Sequence, residues 1–117
     1  MEGITTAERP FVYERLVRGF AETGAFSPPE DRWAWLMAAH VIGQHKVVLH
    51  LDSHRRMLAY ARETRDWPEL AGQLLRIALL PLGHLFGRIP AGNVGRSTVG
   101  EIESMEPPEP VPRLIDW

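Results

Sequence analysis

The chain has 117 residues, a formal charge of −2, 44% hydrophobic and 24% charged residues, the make-up of one globular domain spanning 1–117 and not of a phosphate-tracking, nucleic-acid-binding protein. It contains no cysteine, which excludes a disulfide framework, a thiolate zinc site and a cysteine nucleophile. The opening MEGITTAERP lacks the layout of a signal peptide, and the longest apolar run, Ile77 to Phe86, is broken by Pro81, Gly83 and His84, so the expectation is a soluble cytoplasmic protein with no nucleic-acid and no membrane partner.

The patterning predicts an all-α fold of four helices, arranged as two antiparallel hairpins, with a glycine-rich loop and a proline-rich C-terminal tail. The first helix is expected over about 10–23, with Pro10 in its first turn and Gly24 as its stop. The loop SPPEDRW offers Ser27 as a cap and leads to a second helix over about 30–42. Glu30 and Asp31 there suit the positive end of the helix dipole. Trp33, Leu36, Met37, His40 and Val41 recur at helical spacing on one face, and Gly43 is the expected break.

The third helix is expected over about 46–64, with a stripe of Val47, Leu51, His54, Leu58 and Ala61 flanked by His50 and Met57. In RDWPEL, Asp66 can cap and Pro68 can occupy an early position of a fourth helix over about 67–80, with Pro81 expected to end or kink it. The loop GRIPAGNVGRSTVG follows, and then a tail over 101–117 containing EPPEPVPRLIDW, expected to be extended. FAETGAF, beginning at Phe20, faintly echoes YARETRDW, beginning at Tyr60. That echo is consistent with two stacked helical hairpins.

Four of the five histidines fall within AAHVIGQHKVVLHLDSH. A lone histidine beside an apolar stripe is usually a core residue with one hydrogen bond. The spacing here argues for more. A chain turning back between Gly43 and Lys46 sets His40 and His50 level on facing helices. His54, four residues on, shares the face of His50, and Met37 lies one turn before His40. The bend therefore gathers Met37, His40, His50 and His54 at one patch inside the bundle, where helical proteins build metal sites. Burying three imidazoles without partners would be costly, and a shared ion satisfies them. Three imidazoles suit zinc, copper, iron or nickel, and the thioether of Met37 favours copper. Asp52 and Glu14 are candidate carboxylates, but helical spacing turns Asp52 away from His50.

AHVIGQ, then His50, then HRRML from His54, RDWPELAGQLLRI and GRIPAGNVG resemble a small bacterial family catalogued as domain of unknown function 3703. The resemblance covers about 33–95. It implies that the residues matching His40, His50, His54, Gln44 and the Gly92-Asn93 pair belong to the family pattern. It implies no activity. The chain departs from that pattern at Met37, where the family tends to have glutamate, at Arg55, where it tends to have tryptophan, and at Val94 and Arg96, in GNVGR where the family has GNTGG. Such departures suit a divergent member with a specialised task.

GNVGR follows no strand and opens no helix, so it is neither a dinucleotide fingerprint nor a P-loop. It reads first as a loop turning on its glycines; the sharper alternative is that Asn93 and its neighbouring backbone close over the histidine patch, with Gln44 and Gly92 as companion substrate or lid residues. Ser97 and Thr98 have no histidine–carboxylate arrangement around them. Trp33 and Trp35 cannot both face inward on one helix, and the one left partly exposed would serve a ligand pocket or a homodimer contact.

Two functions are then expected as the main alternatives, with a metal-free small-molecule enzyme using one unspecified histidine as acid or base as a third. One is a metal-binding protein, with copper ahead of zinc or iron. If an enzyme, it would be a copper-dependent oxidoreductase of bacterial specialised metabolism acting on a small-molecule substrate. If the site is closed by a fourth ligand, it would exchange metal with a donor or acceptor. The other is a helical protein-interaction module whose histidines are structural.

Overall fold

A computed structural model describes residues 4–24, 26–87, 95–96 and 107–116. Four long helices, α1 (Arg9–Glu22), α2 (Pro29–Gly43), α3 (Val47–Glu63) and α4 (Trp67–Leu85), are followed by a short α5 (Val111–Asp116), and the described residues contain no strand. The all-α expectation holds, with the ends of the first three helices and the start of the fourth within a residue or so of those expected. Asp66 caps α4 by accepting from the backbone N–H of Glu69 at 3.2 Å. Pro28, not Ser27, is the residue preceding α2, and no side chain caps that helix.

Helix α2 is the centre of the molecule. It packs against α1, α3 and α5, and so it is buried nearly all round: Trp33, Ala34, Leu36, Ala38, Ala39, His40, Val41 and Ile42 are all inaccessible. Two apolar clusters flank it. One joins Tyr13 and Leu16 of α1 to Ala38, Ala39, Val41 and Ile42 of α2 and Val111 and Ile115 of α5. The other joins Trp33 and Leu36 to Met57 and Tyr60 of α3, with Trp33 and Phe20 both edge-on to the Tyr60 ring. Trp35 is the half-buried tryptophan of the pair. Its ring lies over Gly19 of α1, where an added Cβ would come within 2.4 Å of it. Glycine at that position is what lets α1 approach the tryptophan face.

Three expectations are corrected. Pro81 does not end α4, which continues to Leu85. Pro81 is on the exposed side of the helix, where water can donate to the Ile77 carbonyl that proline, lacking an N–H, leaves without its helical donor, and the last turn is held by the bond between His84 and His50 of α3. The tail is not wholly extended: α5 returns to the core through Val111 and Ile115, and Arg15 donates to the carbonyls of Leu114 and Ile115 at 3.0 and 2.7 Å. Finally, the buried face of α3 is His50, Ser53, His54, Met57, Tyr60 and Ala61, rotated from the apolar stripe. Val47 and Leu51 are 48% and 37% exposed.

No helix of the described residues is long and apolar enough to cross a membrane.

Candidate metal centre

The chain reverses between α2 and α3 over Gln44, His45 and Lys46, with the Lys46 N–H returning to the Gly43 carbonyl at 3.0 Å. This turn does what the spacing requires. It sets His40, near the end of α2, against His50 and His54 on α3. All three histidines are buried, at 3%, 8% and 3% exposure. The ring centroids form a nearly equilateral triangle with sides of 5.0, 4.7 and 4.9 Å. His50 Nε2 is 3.2 Å from His40 Nε2 and 3.2 Å from His54 Nε2. The three side chains each offer a nitrogen within 4.8 Å of the others, and among the described residues no other group of histidine and carboxylate side chains gathers in this way.

The proton positions follow from the polar residues behind the rings. Gln73 of α4 donates its amide N–H groups to Glu69 Oε2 at 2.7 Å and to the Gly95 carbonyl at 2.9 Å. Both partners can only accept, so the amide orientation is settled and Gln73 Oε1 must accept. It lies 2.7 Å from His54 Nδ1, which therefore holds the proton. His54 Nε2 is left as a bare lone pair facing the other two rings. His50 Nδ1 lies 2.8 Å from Nε2 of His84. This is the kind of outer partner that holds a ligating imidazole in place. Glu69 in turn accepts from Arg96 at 2.9 Å, and the Arg96 guanidinium stacks on Trp33 at 3.8 Å.

Burial pushes His50 and His54 toward the neutral form. His50 falls to about 3, from burial first and then from the neighbouring His54, His84 and His45. His54 falls to about 4, again from burial, partly countered by its bond to Gln73. Neutral imidazoles with free lone pairs are the state in which histidine binds a metal.

The other expected site residues are placed as follows. Met37 is half-buried and packs against both apolar clusters. Gln44 is buried at the C-terminus of α2, at 2% exposure. Gly92 and Asn93 lie outside the described residues. Asp52 indeed faces away, accepting from the Tyr13 hydroxyl at 2.6 Å and from Arg56 at 2.7 Å. Glu14 is not at the site: it pairs with Arg18 on the surface at 3.3 Å. His45 is exposed at the turn.

Four site residues escaped the sequence reading: Glu69, Gln73, His84 and Gly95. Gly95 lies flat against His40. It has φ +86°, and an added Cβ would stand 2.6 Å from the His40 ring. Both facts demand glycine. Replacing Gly95 with alanine should therefore push His40 out of the triad. The expected result is a loss of metal affinity of about 10- to 100-fold, the range seen when a ligand's support is removed, with the helical circular dichroism unchanged. Equal affinity in a titration of the two proteins would show that the Gly95 contact does not hold His40.

The sequence model of a family described as "Protein of unknown function (DUF3703)" matches residues 8–115, nearly the whole chain. No curated protein and no solved structure matches the chain.

Proposed function

Because the chain belongs to the DUF3703 family, whose function is unknown, its activity has to be read from its own side chains, and we propose that it is a metalloprotein in which His40, His50 and His54 hold one transition-metal ion through Nε2. One observation supports this above all others. Nitrogens bound tetrahedrally at 2.0–2.1 Å from a shared ion stand roughly 3.3–3.4 Å apart. The two Nε2 separations at His50 are 3.2 Å, with one of the three nitrogens, that of His54, a bare lone pair. A single imidazole N–H could satisfy one neighbour but not both. A cation at the centre would serve all three.

The donor set suits copper, zinc or iron. Copper comes first in this reading because Met37, one turn before His40 on α2, carries a soft sulfur. With Met37 packed among apolar side chains, the three histidines suffice as the ligand set and the thioether adjusts the preference. Three protein ligands leave a position open, the pattern of a catalytic site. A copper ion there would supply one-electron chemistry toward dioxygen or a small reductant, which makes an oxidoreductase the favoured activity. Delivery of the ion to an acceptor protein is the outcome if a fourth ligand closes the site.

The test is a titration of tag-free protein, stripped by chelator, with copper and with zinc. The expected result is one equivalent bound, copper more tightly than zinc, with the copper preference reduced in Met37→Leu. Failure of both metals to bind would remove the metalloprotein reading and leave the histidines as a buried hydrogen-bonded cluster.

A further inference from the structure

Helix α4 is turned inside out. Its inward face is mostly polar: Glu69, Gln73 and Arg76 are buried at 2%, 0% and 8% exposure, with Leu80 the one large apolar side chain buried beside them. Its outward face is apolar. Trp67, Leu74, Leu75, Leu82, Leu85 and Phe86 are each 50–74% exposed. At 100° per residue these six side chains, with the exposed Ala71 and Ala78 among them, fall within an arc of roughly 120°. Glu69 and Arg76 are the only charged residues between Trp67 and Phe86. Both point inward, so the exposed face carries no charge at all. A helix with six large apolar side chains in water along its length has a face meant to be covered.

A lipid surface is a poor match, because interfacial helices set lysines and arginines along the polar face beside the apolar one. The polar face of α4 is occupied by the histidine site. A second copy of the chain fits better, and the fit lies in the side-chain sizes. Set two α4 helices antiparallel, with the two-fold axis between Arg76 and Ile77. Leu75 then stands opposite Ala78, Leu82 opposite Ala71, Leu74 opposite Leu79, and Trp67 opposite Phe86. Large side chains meet small ones at two levels, as interlocking helices require. The area also suffices: the exposed stripe amounts to on the order of 800 Å² per copy, what each partner gives to a standard stable interface. A two-fold interface must be self-complementary, and this one is.

We propose that α4 is the contact of a two-fold homodimer, in which the apolar stripe of one copy packs antiparallel on that of the other.

The test is the mass in solution of tag-free protein by sedimentation velocity between 1 and 100 µM, a span of about the affinities typical of such interfaces. Wild type should run at twice 13.3 kDa. The Leu75→Glu/Leu82→Glu variant should run at 13.3 kDa, with unchanged helical circular dichroism and unchanged metal binding. Its metal content separates failure of the dimer from failure of the metal site. The cysteine-free background allows a second measurement. An Ala71→Cys/Leu82→Cys variant should form a disulfide-linked dimer under mild oxidation, since the two positions are roughly 16 Å apart along one helix and cannot pair within it. A wild type that stays monomeric throughout, or a glutamate variant that stays dimeric, overturns the proposal. If the glutamate variant loses its helicity, absence of the covalent dimer in the cysteine variant overturns it.

Discussion

The His50→Ala variant will bind copper or zinc at least ~100-fold more weakly than wild type, the largest effect expected of any single substitution in this protein. His50 is the hub of the triad. Its Nε2 is 3.2 Å from both other ligand nitrogens, and its Nδ1 bonds His84 at 2.8 Å. Without it, His40 and His54 remain as two ligands and the geometry of a three-nitrogen site is gone. The loss should also appear in thermal denaturation. Metal at a hundredfold over its Kd stabilises the native state by roughly 3 kcal/mol, a rise in Tm of about 10 °C for a small domain. His50→Ala should show almost none of that rise. Calorimetric titration and a melting curve with and without metal check the two halves separately, and a variant that keeps wild-type affinity would place the ion elsewhere.

Acidifying the metal-free protein from pH 7 to pH 5 will destabilise it by about 4 kcal/mol. The sign follows from the direction of the shifts. Buried His50 and His54 titrate near 3 and 4, whereas in the unfolded chain they titrate near 6.5. As the pH falls below 6.5 the unfolded chain takes up protons that the folded chain refuses, so folding weakens. Each group contributes roughly 2 kcal/mol over that window at 1.36 kcal/mol per pH unit, and the loss continues until the folded-state values are passed. For a domain with stability of about 5–15 kcal/mol the effect is large. Urea denaturation at pH 7, 6 and 5 measures it. The His50→Ala/His54→Ala variant should have a much flatter profile. A wild type equally stable across that range would mean that the triad accepts a proton readily, and that burial does not hold it neutral. Bound metal should keep that slope and extend it below pH 4, because the ion holds the folded-state lone pairs against protons that the unfolded chain still takes up.

Much of the site was legible in the sequence. His50 and His54 are four residues apart on one helix, and Gly43 marks the bend that returns His40 to them. Local spacing and one turn are enough to bring three imidazoles together. The residues that orient those imidazoles were not legible. Gln73 and Glu69 lie on α4, whose apolar periodicity points the wrong way. Read alone, that helix should bury Leu75 and Leu82 and expose Glu69. His84 lies beyond Pro81, which the sequence rules treat as a terminus. Gly95 looked like one turn glycine among several, and only its approach to the His40 ring distinguishes it.

The sequence by itself determined that the chain is helical, where its four long helices begin and end, apart from the end of α4, to within a residue or so, and which three histidines share a patch. These follow from hydrogen bonding within a helix and from a 3.6-residue period, both local properties of the chain. Tertiary structure alone decided which face of α4 turns inward and how far α3 is rotated from its apolar stripe. The inward face of α4 is its polar one, because the buried Nδ1 of His54 needs a fixed acceptor. Gln73 supplies it, and Glu69 and the Gly95 carbonyl hold Gln73 in place. Satisfying that buried polar group leaves Leu74, Leu75, Leu82 and Leu85 of α4 in water. No one-dimensional pattern records that exchange, because the partner that makes it favourable is a residue on another helix.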